Sequence, residues 1–139
     1  MLVYLDTCIV IYSVEGQALF RKRAQTHIAA LEAAGYRFFV SDLTRGECLV
    51  HPLGRGDATL LLGYQRFFLS RSLSTKNLTP SIYDRAARIR GQYRYTGGRL
   101  YGLVDSIHLA TAIESGCDRL LTNDARLDNF PEITVEILP

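Results

Sequence analysis

Apolar positions along the chain fall into two patterns, short β-prone runs and longer stretches with helical spacing. The short runs, Leu2–Leu5, Tyr36–Val40, Leu73–Leu78, Arg119–Leu121 and Thr134–Leu138, read as strands. Between them, Cys8–Val14 predicts a first helix ending near Gly16. Gln17–Ala34 places Leu19, Phe20, Ala24, Ile28 and Leu31 on one stripe and is stopped by Gly35. Ser41 reads as a helix N-cap, with Asp42 placed to meet the helix dipole, and this helix runs towards His51-Pro52. Asp57–Ser70 carries Leu60, Leu61, Tyr64, Phe67 and Phe68 on its apolar side. Thr79-Pro80 combines a cap with a proline at the first helical position. It opens a helix with the stripe Ile82, Ala86, Ile89 and Tyr93, ending before Gly97-Gly98. Leu103–Ser115 reads as a buried helix capped by Gly116, and Asp124–Asn129 as a helical turn.

Strands alternating with helices define an α/β class with a parallel sheet covered on both faces. No linker or shift in composition divides the 139 residues, so residues 1–139 are read as a single domain. No apolar run reaches the ~18 residues that would span a bilayer. Residues 1–5 lack the basic flank and length of a signal peptide, which predicts a cytoplasmic protein without a membrane anchor. Cys8, Cys48 and Cys117 are odd in number and widely spaced. That suits neither a disulfide framework nor a zinc site, and they are read as small buried hydrophobes.

Four acids stand out by position. Asp6 directly follows the first strand and Asp124 follows Arg119–Leu121, and ligands of open parallel sheets bind beyond such strand ends. Glu47, between Leu43 and Val50, and Asp105, four residues before Leu109, fall on stripes that should face inward. Each has an ordinary structural use as well. Asp6 and Asp124 can cap the helix or turn that follows, and Glu47 can pair with Arg45 or another arginine. Asp105 has the weakest alternative, because aspartate is a poor helix former and its stripe is otherwise apolar. Buried carboxylates need a positive partner. Few cations are at hand, since the only lysines are Lys22 and Lys76 and Arg45 lies on a different helical face from Glu47. A divalent ion serves all four acids at once. Hard oxygen ligands without a convergent His/Cys set favour Mg²⁺ or Mn²⁺ over zinc. Such an ion activates water against a phosphodiester.

The net charge of +2 does not by itself imply nucleic acid, but its distribution is uneven. Arg85, Arg88, Arg90, Arg94 and Arg99 fall in a stretch without a single acid, interleaved with Tyr93, Tyr95 and Tyr101. The arginines can follow a phosphate backbone or meet an acidic segment of a protein partner, and the tyrosines can stack bases or fill the core. Arg21-Lys22-Arg23 is read as a solvated face. His108, three residues after Asp105, is read as a hydrogen-bonded structural histidine ahead of a ligand or base. Ser41 and Thr44 are read as local caps, and Asn123 as a residue that orients Asp124 or contacts a phosphate.

Val-Tyr-Leu-Asp6-Thr7, Ser41-Asp-Leu-Thr44-Arg-Gly-Glu47, Val104-Asp105-Ser-Ile-His-Leu-Ala-Thr-Ala112 and Leu121-Thr122-Asn123-Asp124 together resemble the successive motifs of PIN-domain ribonucleases. The resemblance is closest to the VapC-type toxins of type II toxin–antitoxin pairs. It covers the chain in order and is thinnest over residues 51–63. It implies an α/β/α sandwich and Mg²⁺- or Mn²⁺-dependent cleavage of RNA, leaving 5′-phosphate and 3′-hydroxyl ends. It further implies a homodimer and a cognate antitoxin whose tail crosses the active-site groove. Carried over, Asp6, Glu47 and Asp105 match the principal acidic ligands, Asp124 the fourth and more variable one, and Thr7 and Thr122 the hydroxyls beside them. A haloacid-dehalogenase-like phosphatase fits poorly, because its second aspartate would stand where Cys8 does. A catalytically silent PIN module would be marked by loss of an acid, and none is lost. A metal-dependent DNA nuclease shares the chemistry and remains the other alternative.

Overall fold

The structure, a computed structural model describing residues 1–139, is built on one five-stranded, wholly parallel sheet. Its strands are β1 (Leu2–Leu5), β2 (Arg37–Ser41), β3 (Leu73–Lys76), β4 (Arg119–Thr122) and β5 (Thr134–Ile137). Parallel neighbours need crossovers, which the helices supply. They are α1 (Thr7–Glu15), α2 (Ala18–Ala33), α3 (Asp42–Arg55), α4 (Ala58–Phe68), α5 (Pro80–Gln92) and α6 (Leu103–Glu114), with a 3₁₀ turn at Ala125–Leu127.

Side chains alternate across the central strands, and both faces are buried. Val3 and Leu5 of β1 and Leu121 of β4 pack with Ile9, Val10, Ala24, Leu31, Cys48 and Tyr64 from α1 to α4. Tyr4 and Leu120 point the other way, against Ile82, Ala86 and Ile89 of α5 and Ile107, Leu109, Ala110 and Ala112 of α6. The result is the three-layer α/β/α sandwich expected from the alternation of elements. Truncating a core side chain such as the fully buried Leu120 should cost about 2–5 kcal/mol.

Strand order β3-β2-β1-β4-β5 reverses direction at β1. The chain builds outward through β2 and β3, then crosses back to add β4 and β5 on the other side. The crevice between the C-terminal ends of β1 and β4 is therefore the topological switch point, where parallel sheets bind ligands. Asp6 and Asp124 flank it.

The expected elements are all present, most with ends shifted by a residue or two. α5 stops at Gln92, leaving Tyr93 of the expected stripe as an extended C-cap, and two further differences stand out. α3 passes through Pro52, which was expected to end it, and continues to Arg55. Proline in the last turn forfeits a single hydrogen bond, and the buried Pro52 ring packs inward with Thr44 and Cys48. Gly56, in the left-handed region at φ 62°, ends the helix, and Asp57 N–H returns to the Pro52 carbonyl at 2.9 Å. β3 stops at Lys76 rather than Leu78, because Asn77 and Leu78 turn into the Thr79 cap of α5, whose side chain accepts from Ile82 N–H.

Candidate active site at the switch point

Asp6 ends β1 and caps α1 with an extended backbone. It is 9% exposed. Its Oδ1 accepts from Thr7 N–H at 2.8 Å and its Oδ2 from the Thr122 hydroxyl at 2.6 Å. The Thr122 oxygen in turn accepts from the Asp124 N–H at 3.1 Å. One hydroxyl at the end of β4 thus ties the acid of β1 to the backbone of the other strand-end acid.

Glu47 stands on α3 and meets a second network. Thr7 donates its hydroxyl to Glu47 Oε1 at 2.7 Å, and His108 of α6 approaches the same oxygen through Nε2 at 2.8 Å. His108 Nδ1 lies 2.8 Å from the Tyr4 hydroxyl. A carboxylate on one ring nitrogen and a phenol on the other assign the proton of neutral His108 to Nε2, with Tyr4 donating to Nδ1. Burial pushes the Glu47 carboxyl up, but the hydrogen bonds from His108 and Thr7 outweigh it and leave the group below its ordinary range. The expected inward stripe through Leu43, Glu47 and Val50 is not what forms. Val50 is exposed, and α3 buries Thr44, Cys48 and Pro52 instead, which puts Glu47 at the edge of the buried face. Arg45 does not pair with it and lies over the Phe68 ring at 5.5 Å.

Asp105 sits in the first turn of α6, where its charge also meets the positive end of the helix. Leu109 and Ala112 of its stripe are fully buried, as expected. The Tyr95 phenol donates to Asp105 Oδ2. Even so, burial holds the Asp105 carboxyl above the usual aspartate range, and the charges of Asp6 and Asp124 push in the same direction. Asp6 and Asp124 therefore both lie near enough to act on Asp105.

Asp124 caps the 3₁₀ turn through Arg126 N–H at 3.0 Å. It is also forked to the Arg126 guanidinium, with Nε at 2.9 Å from Oδ1 and Nη2 at 2.5 Å from Oδ2. That contact holds the Asp124 carboxyl below its ordinary range. Arg126 is the cationic partner missing from the sequence reading. Its signal was an arginine two residues beyond a capping acid, close enough to fold back on it. Its guanidinium also lies 4.5 Å above the Tyr95 ring.

The four acids thus share one end of the sheet, but no three of them converge on metal-ligating geometry. Glu47 is turned to Thr7 and His108, and Asp124 to Arg126. Asp6 and Asp105 have no Lys, Arg or His ion-pair partner. Their donor chemistry, carboxylate oxygen beside hydroxyl oxygen, suits a hard divalent cation.

The remaining expected site residues divide. Thr7 and Thr122 hold the acids as described. Asn123 donates its amide to the Tyr12 hydroxyl at 3.2 Å rather than to Asp124. Arg85 is engaged by Glu114 at 2.8 Å and Glu132 at 3.5 Å, and Arg90 by the Tyr101 carbonyl. Arg88, Arg94 and Arg99 are exposed and meet no carboxylate. Tyr101 is fully buried between Tyr95 and Phe130, so it belongs to the core rather than to a stacking platform. All three cysteines are free thiols that burial pushes up to about 12. Only Cys48 is buried as expected, while Cys8 is part of the site, its thiol donating to Asp6 Oδ2 at 3.6 Å and accepting from Asn123 N–H at 3.4 Å.

An acid-lined switch point on a parallel α/β/α sandwich marks a ligand site with room for a cation, a feature that nucleases and phosphatases share. The PIN domain family matches residues 3–133, and the chain belongs to that family. Among solved structures it is similar in fold to the VapBC2 complex of Rickettsia felis, crystallised with a fragment of promoter DNA, at 16% identity over all of both chains and a TM-score of 0.78. It is also similar to VapC20 of Mycobacterium tuberculosis, described as a sarcin–ricin loop cleaving toxin, at 16% identity over 95% of this chain and 98% of that one, with a TM-score of 0.71. A toxin–antitoxin complex from Klebsiella pneumoniae gives 24% identity over 95% of each chain and a TM-score of 0.68. No curated protein matches the sequence. No helix is long and apolar enough to cross a membrane.

Proposed function

We propose that this chain is a metal-dependent endoribonuclease, the toxin of a type II toxin–antitoxin pair acting in the cytoplasm. The observation that carries the reading is the gathering of acids at the switch point. Asp6 is tied through the Thr122 hydroxyl to the Asp124 N–H, Asp105 is held up by burial and then by the charges of Asp6 and Asp124, and neither Asp6 nor Asp105 has an ion-pair partner. Membership of the PIN family supports it. So does the likeness in fold to toxins of toxin–antitoxin complexes.

Asp6 and Asp105 would hold Mg²⁺ or Mn²⁺, with Glu47 and Asp124 completing the acidic set. When bound, the ion would lower the pKa of a coordinated water and offset charge on the leaving oxygen, chemistry suited to leaving 5′-phosphate and 3′-hydroxyl ends. The chain's own residues prepare that chemistry. Thr122 fixes Asp6 and orients the Asp124 backbone. Thr7 and His108 keep Glu47 ionised and aimed from α3, and Tyr95 steadies Asp105. The exposed Arg88, Arg94 and Arg99 follow the RNA backbone, a homodimer is the working form, and the cognate antitoxin covers the groove.

The test is end-mapping of total RNA treated with the protein, with and without EDTA, using wild type and Asp6→Asn. Cleavage that leaves 5′-phosphates, stops in EDTA and is lost in a folded Asp6→Asn variant is expected. A fully active Asp6→Asn protein overturns the proposal.

A further inference from the structure

Beside the acids lies a pocket of about 270 Å³ lined by Tyr95, Gly97, Arg99 and Arg126. A short hairpin builds its wall. Arg94 and Leu100 form an antiparallel bridge, Tyr95 N–H donates to the Arg99 carbonyl at 2.8 Å, and Gly98 N–H returns to the Tyr95 carbonyl at 2.8 Å. Gly98 closes this turn at φ 87°, a conformation that favours glycine. Thr96 then ties the hairpin to the Arg126 carbonyl through its N–H at 3.2 Å and its hydroxyl at 3.3 Å. Arg99 and Arg126 are thereby held across one cavity, although they are far apart in sequence.

The pocket touches the catalytic acids at two points. Tyr95 donates to Asp105, and Arg126 is forked to Asp124. Arg99 carries no carboxylate partner, and Arg126 is 60% exposed on the open side. Clustered carboxylates repel a phosphodiester, so a strand approaching them needs a fixed cation beside the cut. Guanidinium groups bind phosphate as readily as carboxylate, through the same two-pronged geometry. Arg126 can therefore exchange Asp124 for a phosphate.

We propose that this pocket is a subsite for a backbone phosphate of the RNA strand flanking the cut, with Arg99 and Arg126 as its ligands and Asp124 holding Arg126 back until a divalent cation takes that carboxylate. The inference rests on the nuclease reading above. It makes cation and strand mutually reinforcing, because each relieves the Asp124–Arg126 pair for the other.

The experiment uses the full chain and the variants Arg126→Gln and Arg99→Gln. Mn²⁺ uptake is measured without RNA, from the spin-resonance signal of the free ion. Strand affinity is measured by anisotropy of a short labelled phosphorothioate RNA, with and without Mn²⁺. Arg126→Gln should bind Mn²⁺ more tightly, on the order of tenfold, as expected when one charge-assisted competitor is removed. It should bind the RNA more weakly by a similar factor, with the salt slope lower by about 0.7. Arg99→Gln should weaken RNA alone. A merely structural role would lower both affinities in Arg126→Gln, and that result overturns the proposal. Full displacement of the RNA by inorganic phosphate overturns the assignment to a strand. Wild type that takes up Mn²⁺ and cuts RNA, with both variants indistinguishable from it, overturns the subsite and leaves the nuclease reading standing. Wild type that takes up no Mn²⁺ overturns both.

Discussion

Glu47 on α3 and His108 on α6 meet through a 2.8 Å hydrogen bond that joins helices on opposite sides of the sheet's C-terminal edge. Behind it, the fully buried Tyr4 donates its hydroxyl to the far ring nitrogen of the same histidine. His108→Ala should destabilise the protein by about 1–3 kcal/mol, since the Tyr4 hydroxyl loses its acceptor in a place water does not reach. In a Tyr4→Phe background the same substitution should cost visibly less, because the stranded group is already gone. Urea melts of the four proteins check this. Losses that add to within about 0.3–0.5 kcal/mol would mean the two side chains are not coupled.

Asp105 carries a stability prediction of the opposite sign from that of a salt-bridged acid. Its folded pKa lies above its unfolded value, by burial first and by Asp6 and Asp124 besides. The folded state therefore binds this proton more tightly than the unfolded chain does. Stability from this group is fully present below the unfolded value, about 3.9, and is lost as pH rises through the folded value. In EDTA at neutral pH, Asp105→Asn should melt higher than wild type, and the difference should fade as pH approaches the unfolded value. Mn²⁺ should reverse the order, because an ion at a hundredfold excess over its Kd stabilises wild type by about 2.7 kcal/mol. A variant that melts lower in EDTA and keeps the Mn²⁺ gain would contradict the clustering.

Thr122 gives a test of positioning without charge. Its hydroxyl donates to Asp6 Oδ2 at 2.6 Å and its oxygen accepts from Asp124 N–H at 3.1 Å, in a fully buried position. Thr122→Val keeps the shape and removes both bonds. Partners of this kind typically account for about 10–100-fold in metal affinity or activity. The expected result is a loss of that size in Mn²⁺ affinity, with Thr122→Ser recovering most of it. If valine and serine behaved alike, the hydroxyl would have no part in holding Asp6.

The strand-to-helix alternation and the two strand-end acids were legible because both depend on local pattern, with apolar runs of strand length and an acid at their ends. The caps at Ser41 and Thr79 were legible for the same reason. What was not legible depends on folding back across sequence. The contact of Tyr95 with Asp105 needs the Gly98 turn, and the role of His108 needs α3 and α6 to face each other. Arg126 was close at hand, but its direction is set by the capped turn at Asp124 rather than by spacing. Pro52 misled for a physical reason, since a buried ring in a last turn costs a helix little. Burial of Tyr101 shows how an arginine–tyrosine stretch can divide residue by residue between core and surface.

That division bears on the arginines as well. Arg88 and Arg94 are exposed and without carboxylate partners, whereas Arg85 is held by Glu114 and Glu132. If the free pair contacts a single-stranded backbone, replacing both with alanine should lower the slope of log affinity against log salt by about 1.4, at about 0.7 for each phosphate contact. Arg85→Ala should leave the slope where it was and loosen the link between α5 and α6, by no more than about 1 kcal/mol because the pair is solvent-accessible. Anisotropy titrations of a labelled RNA at several salt concentrations separate the two. An unchanged slope in the double variant would remove Arg88 and Arg94 from the RNA path, and a flattened slope in Arg85→Ala would show that its ion pairs yield to phosphate.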